Sequence, residues 1–250
     1  VLDDAGFNVG YLGYNTEKPD LKDVNVRRAL DMAINKDAII NAVYQGSGIK
    51  ASNPMPPTQW GYNDEIKDAP DDIEKAKALL AEAGAKDLEI DLWYMPVQRP
   101  YNPNAKLMAE MIQSDWAKIG VKAKLVTYEW GEYLKRAGKG EPEAILAGWT
   151  GDNGDPDNWL GVLLSCDAVN GNNYSRWCNK DFDKLVMDAR ANTNQDERIA
   201  NYKQAQVIFK DQLPWTTVAN SVVTVLTTPN VKDYKISPLG SIRFDGVDIE

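Results

Sequence analysis

Histidine is missing altogether from this 250-residue chain. Its absence removes the commonest general base near neutral pH and the commonest zinc ligand, which weakens any reading as an enzyme or a zinc protein. Cations are outnumbered, 28 Lys and Arg against 37 Asp and Glu, for a net charge of −9. Phosphate backbones are bound by clustered surplus cations, so nucleic acid is excluded as a partner. No run of about 18 or more apolar residues occurs, and with it goes any candidate membrane-spanning helix. The N-terminus also lacks a basic region followed by an apolar stretch and a cleavage site, and Val1-Leu2-Asp3-Asp4 reads as a cut. The expectation is a secretion signal already removed, or a chain that begins in mid-protein.

Cysteine is scarce. Cys166 and Cys178 flank a segment rich in Asn, Gly, Asp and Ser that reads as a surface loop. Two thiols without histidine are too few for a structural zinc site, and their spacing is not that of a redox pair. A disulfide clipping the loop is the favoured reading, with two reduced thiols as the alternative. A disulfide implies an oxidising compartment outside the cytosol.

What is present is a 43% apolar composition, enough for a sizeable core, and a pattern of alternating strands and helices. Strand character is expected over Phe7 to Asn15, Asp87 to Met95, Val121 to Tyr128 and Glu143 to Trp149. Three short strands are expected at Trp215 to Asn220, Val222 to Thr227 and Val231 to Ile236. Helices are expected over Val24 to Ile34, Lys36 to Tyr44, Ala76 to Ala83, Asn102 to Ile119, Trp130 to Lys139, Pro156 to Leu164, Lys180 to Ala191 and Gln195 to Gln212. Ala51 to Pro70 holds four prolines and reads as a loop draped over the surface. Asp71-Asp72-Ile73-Glu74 supplies a capping box before the third helix, and Gly84 supplies its left-handed stop. The class is α/β, a mixed sheet flanked by helices, in which ligands are expected at the carboxyl ends of strands.

Two loops meet that criterion. Pro96-Val97-Gln98-Arg99-Pro100-Tyr101-Asn102-Pro103-Asn104 brackets one arginine with prolines that limit its backbone freedom. A guanidinium so held suits a carboxylate in bidentate geometry, or serves as a structural partner for a nearby acid. Thr150-Gly151-Asp152-Asn153-Gly154-Asp155-Pro156-Asp157-Asn158 offers glycines that admit close approach and a carboxylate, Asp152, that suits an ammonium group. Asp157, with Asp155 before Pro156, is expected to cap the following helix. Calcium would need an acid at the twelfth position of the loop, where Leu163 stands, so no metal is expected. A glycosidase-like acid pair beside Tyr94, Tyr101 and Trp149 is the hydrolase alternative.

Gly10-Tyr11-Leu12-Gly13-Tyr14-Asn15-Thr16, Val26-Arg27-Arg28-Ala29-Leu30, Asn35-Lys36-Asp37-Ala38-Ile39-Ile40, Met95 to Asn104, Val126 to Arg136 and Gly148 to Asn158 carry a further signal. Through them the whole chain resembles the second half of dipeptide-binding members of the bacterial peptide, oligopeptide and nickel solute-binding family. The resemblance implies a type II periplasmic-binding-protein lobe lacking most of the first lobe. Residues 1–5 would end the first lobe, 6–220 form the second, and 221–250 return to the first. It implies a non-catalytic, monomeric periplasmic component of an ABC importer, delivering dipeptides to a membrane permease. Arg99 matches the residue holding the ligand carboxylate and Asp152 the one holding its ammonium. Tyr101 and the backbone at Gly148, Trp149, Thr150 and Gly151 match segments lining the peptide main chain, and Cys166 and Cys178 match a disulfide of close relatives. No cofactor is implied for a dipeptide binder; haem- or glutathione-binding members of the family are the alternative.

Overall fold

The computed structural model describes every residue of the chain except Pro238 and Gly240. In chain order the elements are β1 (Leu2–Ala5), β2 (Asn8–Tyr14), α1 (Val24–Ala33), α2 (Lys36–Ile39), β3 (Gly48–Lys50), α3 (Ile73–Glu82), β4 (Glu89–Trp93), α4 (Ala105–Ala117), β5 (Lys122–Val126), α5 (Trp130–Gly138) and β6 (Ala144–Thr150). They continue with α6 (Asp157–Leu164), α7 (Lys180–Ala191), α8 (Gln195–Gln212), β7 (Trp215–Val225), β8 (Val231–Lys232) and β9 (Asp248–Ile249). This is the expected mixed sheet flanked by helices, consistent with a type II periplasmic-binding-protein lobe. Among the described residues no helix is long and apolar enough to cross a membrane.

Seven strands form one sheet in the order β1-β7-β2-β6-β4-β5, with β3 also on β7. The β2, β6 and β7 pairings are antiparallel, while β4 pairs in parallel with both β5 and β6. Side chains alternate across a strand, so β2 sends Val9 and Tyr11 into one core and Leu12 and Tyr14 into the other. One core packs α1, α3, α4 and α5; the opposite one packs α6, α7 and α8. A sheet buried on both faces explains why β2 is buried at every position.

Several boundaries differ from the sequence pattern. Helix α4 starts at Ala105, not Asn102, because Asn104 caps it by accepting from the Leu107 N–H. The expected capping box of Asp71 with Glu74 does not form: α3 is capped one residue later by Asp72, which accepts from Lys75 N–H. The helix expected over Lys36 to Tyr44 is α-helical only to Ile39 and continues as a π-turn over Ile40–Tyr44. The two strands expected around residues 215–227 are one, β7, whose near part pairs with β2 and β3 and whose far part pairs with β1. The expected junction at 220/221 therefore falls inside a continuous strand. There Gly6 N–H donates to Ser221 O at 2.9 Å, and the Asn8 side chain bonds the backbone and hydroxyl of Ser221. The strand expected over Val231 to Ile236 shrinks to β8, which among the described residues pairs with β9 alone.

Candidate ligand-binding site

Strand β4 lies between β5 and β6, and the chain visits β5 before crossing back to β6. The loops leaving β4 and β6 therefore depart in different directions at the same end of the sheet, where a crevice forms. A cavity of about 380 Å³ occupies it. Arg99 and Asp152 both line it, and they are the only charged residues that do so among the described residues. Tyr101, Gly148, Trp149 and Thr150 line it too, as do Trp130, Tyr133, Asn172 and Tyr174. Gly151, expected on the wall, lies behind it: its N–H donates to Phe7 O at 2.9 Å and its α-carbon packs on Phe7 and Trp159.

The Arg99 loop is seated directly on the sheet. Gly10 and Gly148 are register partners on β2 and β6. A Cβ at Gly148 would stand 2.1 Å from the Tyr101 ring, and one at Gly10 would stand 2.3 Å from the Tyr101 carbonyl oxygen. Only bare backbone admits the loop so closely. The Tyr44 hydroxyl closes the seat, donating to Tyr101 O at 2.7 Å. Arg99 itself is half-buried, its guanidinium stacked 4.6 Å from the Trp130 ring centroid and donating to Gln98 O at 3.2 Å. A cation over an indole face is held in place while keeping its charge.

The Asp152 loop is held by polar contacts. Asn158 Oδ1 accepts from Asp152 N–H at 2.8 Å and from Trp149 Nε1 at 3.2 Å, and Asn158 Nδ2 donates to Asp152 Oδ2 at 3.1 Å. Asp152 is exposed at the mouth of the cavity. Asp157 does not cap α6 as expected. Asp155 does so, accepting from Asp157 N–H at 3.0 Å, while the Asp157 carboxylate pairs with Arg190 at 2.9 Å. Asp155 also pairs with Arg198 at 2.8 Å. These pairings consume the oxygens a calcium ion would need, and among the described residues no group of three or more acidic, Cys or His side chains could hold a metal.

Burial pushes the phenols around the cavity upward: Tyr11 and Tyr133 well above the ordinary range, Tyr174 less, and Tyr101 to about 12 despite the opposing pull of Arg99. They stay neutral, leaving one cation and one anion in a largely aromatic chamber. Beyond Ile145, β6 has no β4 partner; Leu146 O accepts from the Tyr133 hydroxyl at 2.7 Å, and from Ala147 onward the strand edge runs along the cavity. Asn172 and Tyr174 come from the loop closed by the Cys166–Cys178 disulfide, whose α-carbons lie 4.6 Å apart. The sequence pattern assigns no site role to Gly10, Tyr44, Trp130 or Asn158; a glycine inside a buried strand is the available signal for the first.

The model for bacterial extracellular solute-binding proteins, family 5 Middle, matches residues 1–171. The chain belongs to this family. Di/tripeptide-binding protein 1 of Pseudomonas aeruginosa is 61% identical over 98% of the chain and 46% of its own length. Heme-binding protein A of Haemophilus influenzae is 53% identical over 100% of the chain and 46% of its own length. A dipeptide-binding protein from Pseudoalteromonas, solved in complex with Met-Leu, superposes with a TM-score of 0.88 at 36% identity, covering 100% of this chain and 50% of that one. The chain thus spans about half the length of the relatives it matches. A family of solute-binding proteins is not one of enzymes, which disposes of the carboxylate hydrolase alternative.

Proposed function

We propose that this solute-binding chain captures dipeptides by their charged termini, Arg99 taking the carboxylate and Asp152 the ammonium. One observation carries the reading: the cavity's two charged side chains have opposite sign, and among the described residues neither has an ion-pair partner. Unpaired charges facing one chamber are costly to desolvate unless a complementary guest arrives. The free edge of β6 at Gly148, Trp149 and Thr150 supports main-chain pairing, with Tyr101 alongside and Gly151 shaping the wall from behind. A third ligand residue would move the far terminus by about 3.3 to 3.6 Å, outside hydrogen-bond reach of a fixed partner.

In the whole protein, residues 6–220 would form one lobe, with 1–5 and 221–250 leading to and from another. Support comes from the side-by-side run of β1 and the far part of β7, and from the exposed apolar side chains Leu226, Ile242, Phe244 and Ile249 beyond it. The first lobe would cover the exposed Asp152. The protein would act as a periplasmic monomer passing its ligand to the membrane permease of an ABC importer. Calorimetry on the intact protein tests the site: Arg99→Ala and Asp152→Ala should each weaken dipeptide binding about a hundredfold. Unchanged affinity in both variants would sink the assignment.

A second reading, haem as ligand, is favoured by the 53% identity to Heme-binding protein A. Titration with hemin, followed by absorbance and competed with dipeptide, separates the two. Haem capture that persists in both charge variants and is indifferent to dipeptide would support haem at a separate site.

A further inference from the structure

We infer that Asn158 is a positioning residue for ligand capture: its side-chain amide fixes where the Asp152 carboxylate stands while leaving that carboxylate its charge. The inference rests on the proposed role of Asp152 and goes beyond it, because Asn158 faces Asp152 and Trp149 and is absent from the cavity lining.

Three acids crowd the loop between β6 and α6 and the first position of that helix, and they are restrained in two different ways. Asp155 and Asp157 are each matched with an arginine, Arg198 and Arg190. Asp152 is instead held by a neutral donor, Asn158 Nδ2, at 3.1 Å from Oδ2. The difference has a chemical consequence. An arginine at this point would cancel the charge a cationic ligand end requires, and an alkyl side chain would leave an exposed carboxylate free to swing among rotamers. A carboxamide restrains it without neutralising it. Oδ1 of Asp152 has no bond to another side chain among the described residues, so one oxygen remains for the guest.

The partners of the amide fix its orientation. Its oxygen takes two donors, the Asp152 N–H at 2.8 Å and Trp149 Nε1 at 3.2 Å, and its nitrogen serves the carboxylate. Flipping it would set N–H against N–H twice. Asn158 is itself buried, with its backbone N–H donating to Asp155 O at 3.1 Å in the first turn of α6. One side chain anchored on a helix thereby sets both the anion and the indole wall beside it, the arrangement that keeps a polar site ready before the ligand enters.

A double-mutant cycle on the intact protein, with alanyl-alanine as probe and calorimetry as readout, tests this. Asn158→Ala should weaken binding about tenfold, the worth of one hydrogen bond to a charged group. In an Asp152→Asn background the same change should cost less than twofold, because Asn158 acts through the carboxylate. An equal tenfold loss in both backgrounds marks Asn158 as structural only and overturns the inference while sparing the role of Asp152. Asp152→Asn without effect of its own overturns both. Asn158→Ser, which keeps an acceptor for the Asp152 N–H, provides the same cycle if the alanine variant does not fold.

Discussion

The loop carrying Arg99 and the loop carrying Asp152 leave adjacent parallel strands at one end of the sheet, yet they are stabilised by opposite means. The cation loop is seated by shape: two glycines clear the sheet surface, the Tyr101 ring fills the gap, and an indole face steadies the guanidinium. The anion loop is tied by hydrogen bonds and ion pairs radiating from Asn158, Asp155 and Asp157. Arginine is large and weakly hydrated, so packing can position it; a short carboxylate offers little to pack against and needs donors.

The sharpest way to break that contrast is Gly148→Ala. A methyl group within 2.1 Å of the Tyr101 ring forces the cation loop off the sheet, and dipeptide affinity should fall by more than about a hundredfold, with overpacking costing about 1 to 3 kcal/mol of stability. Near-normal calorimetric binding would show that the seat does not set the site. Tyr44→Phe removes only the bond to Tyr101 O and should cost about 1 kcal/mol in denaturant melts, with a severalfold loss of affinity. An unaltered protein would mean the glycine seat suffices alone. Alkali should act on both loops together, since burial lifts Tyr101 in one, and Tyr202 behind the other, from the ordinary 10.0 to about 12. A folded pKa above the unfolded one gives stability that is complete below pH 10 and is lost as pH rises through 12. Melting temperatures that stay flat across that interval would contradict it. Smallest of all, Arg190→Ala opens an exposed ion pair on the far side of the anion loop and should change stability by less than about 1 kcal/mol and affinity not at all. A clear loss of binding would extend the anion-side network further than drawn.

Much of this was legible in the residues. Helices α7 and α8 were read within their observed bounds, because each is amphipathic or long and punctuated by asparagine caps. The sequence pattern divides β7 because Asn220-Ser221 reads as a turn; in the fold those polar groups are consumed by Asn8 and the strand runs on. β1 and β3 give no strand signal, one too charged and the other too short to show alternation, since pairing with β7 makes them strands. Arg99 and Asp152 stood out by charge within breaker-rich loops. Tyr44 did not: its role exists only through contact with Tyr101, a residue 57 positions away. Asn158 lies six residues from Asp152, yet asparagine early in a helix looks like any other polar position until the direction of its amide is known.

Asn172 and Tyr174, two residues of the cavity wall, ride on the span that Cys166 and Cys178 close into a ring. Bonds of this kind persist in oxidising compartments and are rare in the cytosol. On the periplasmic role proposed above, the chamber acquires its last rigid side only where that bond can close, so readiness for a guest would be tied to the redox state of the compartment.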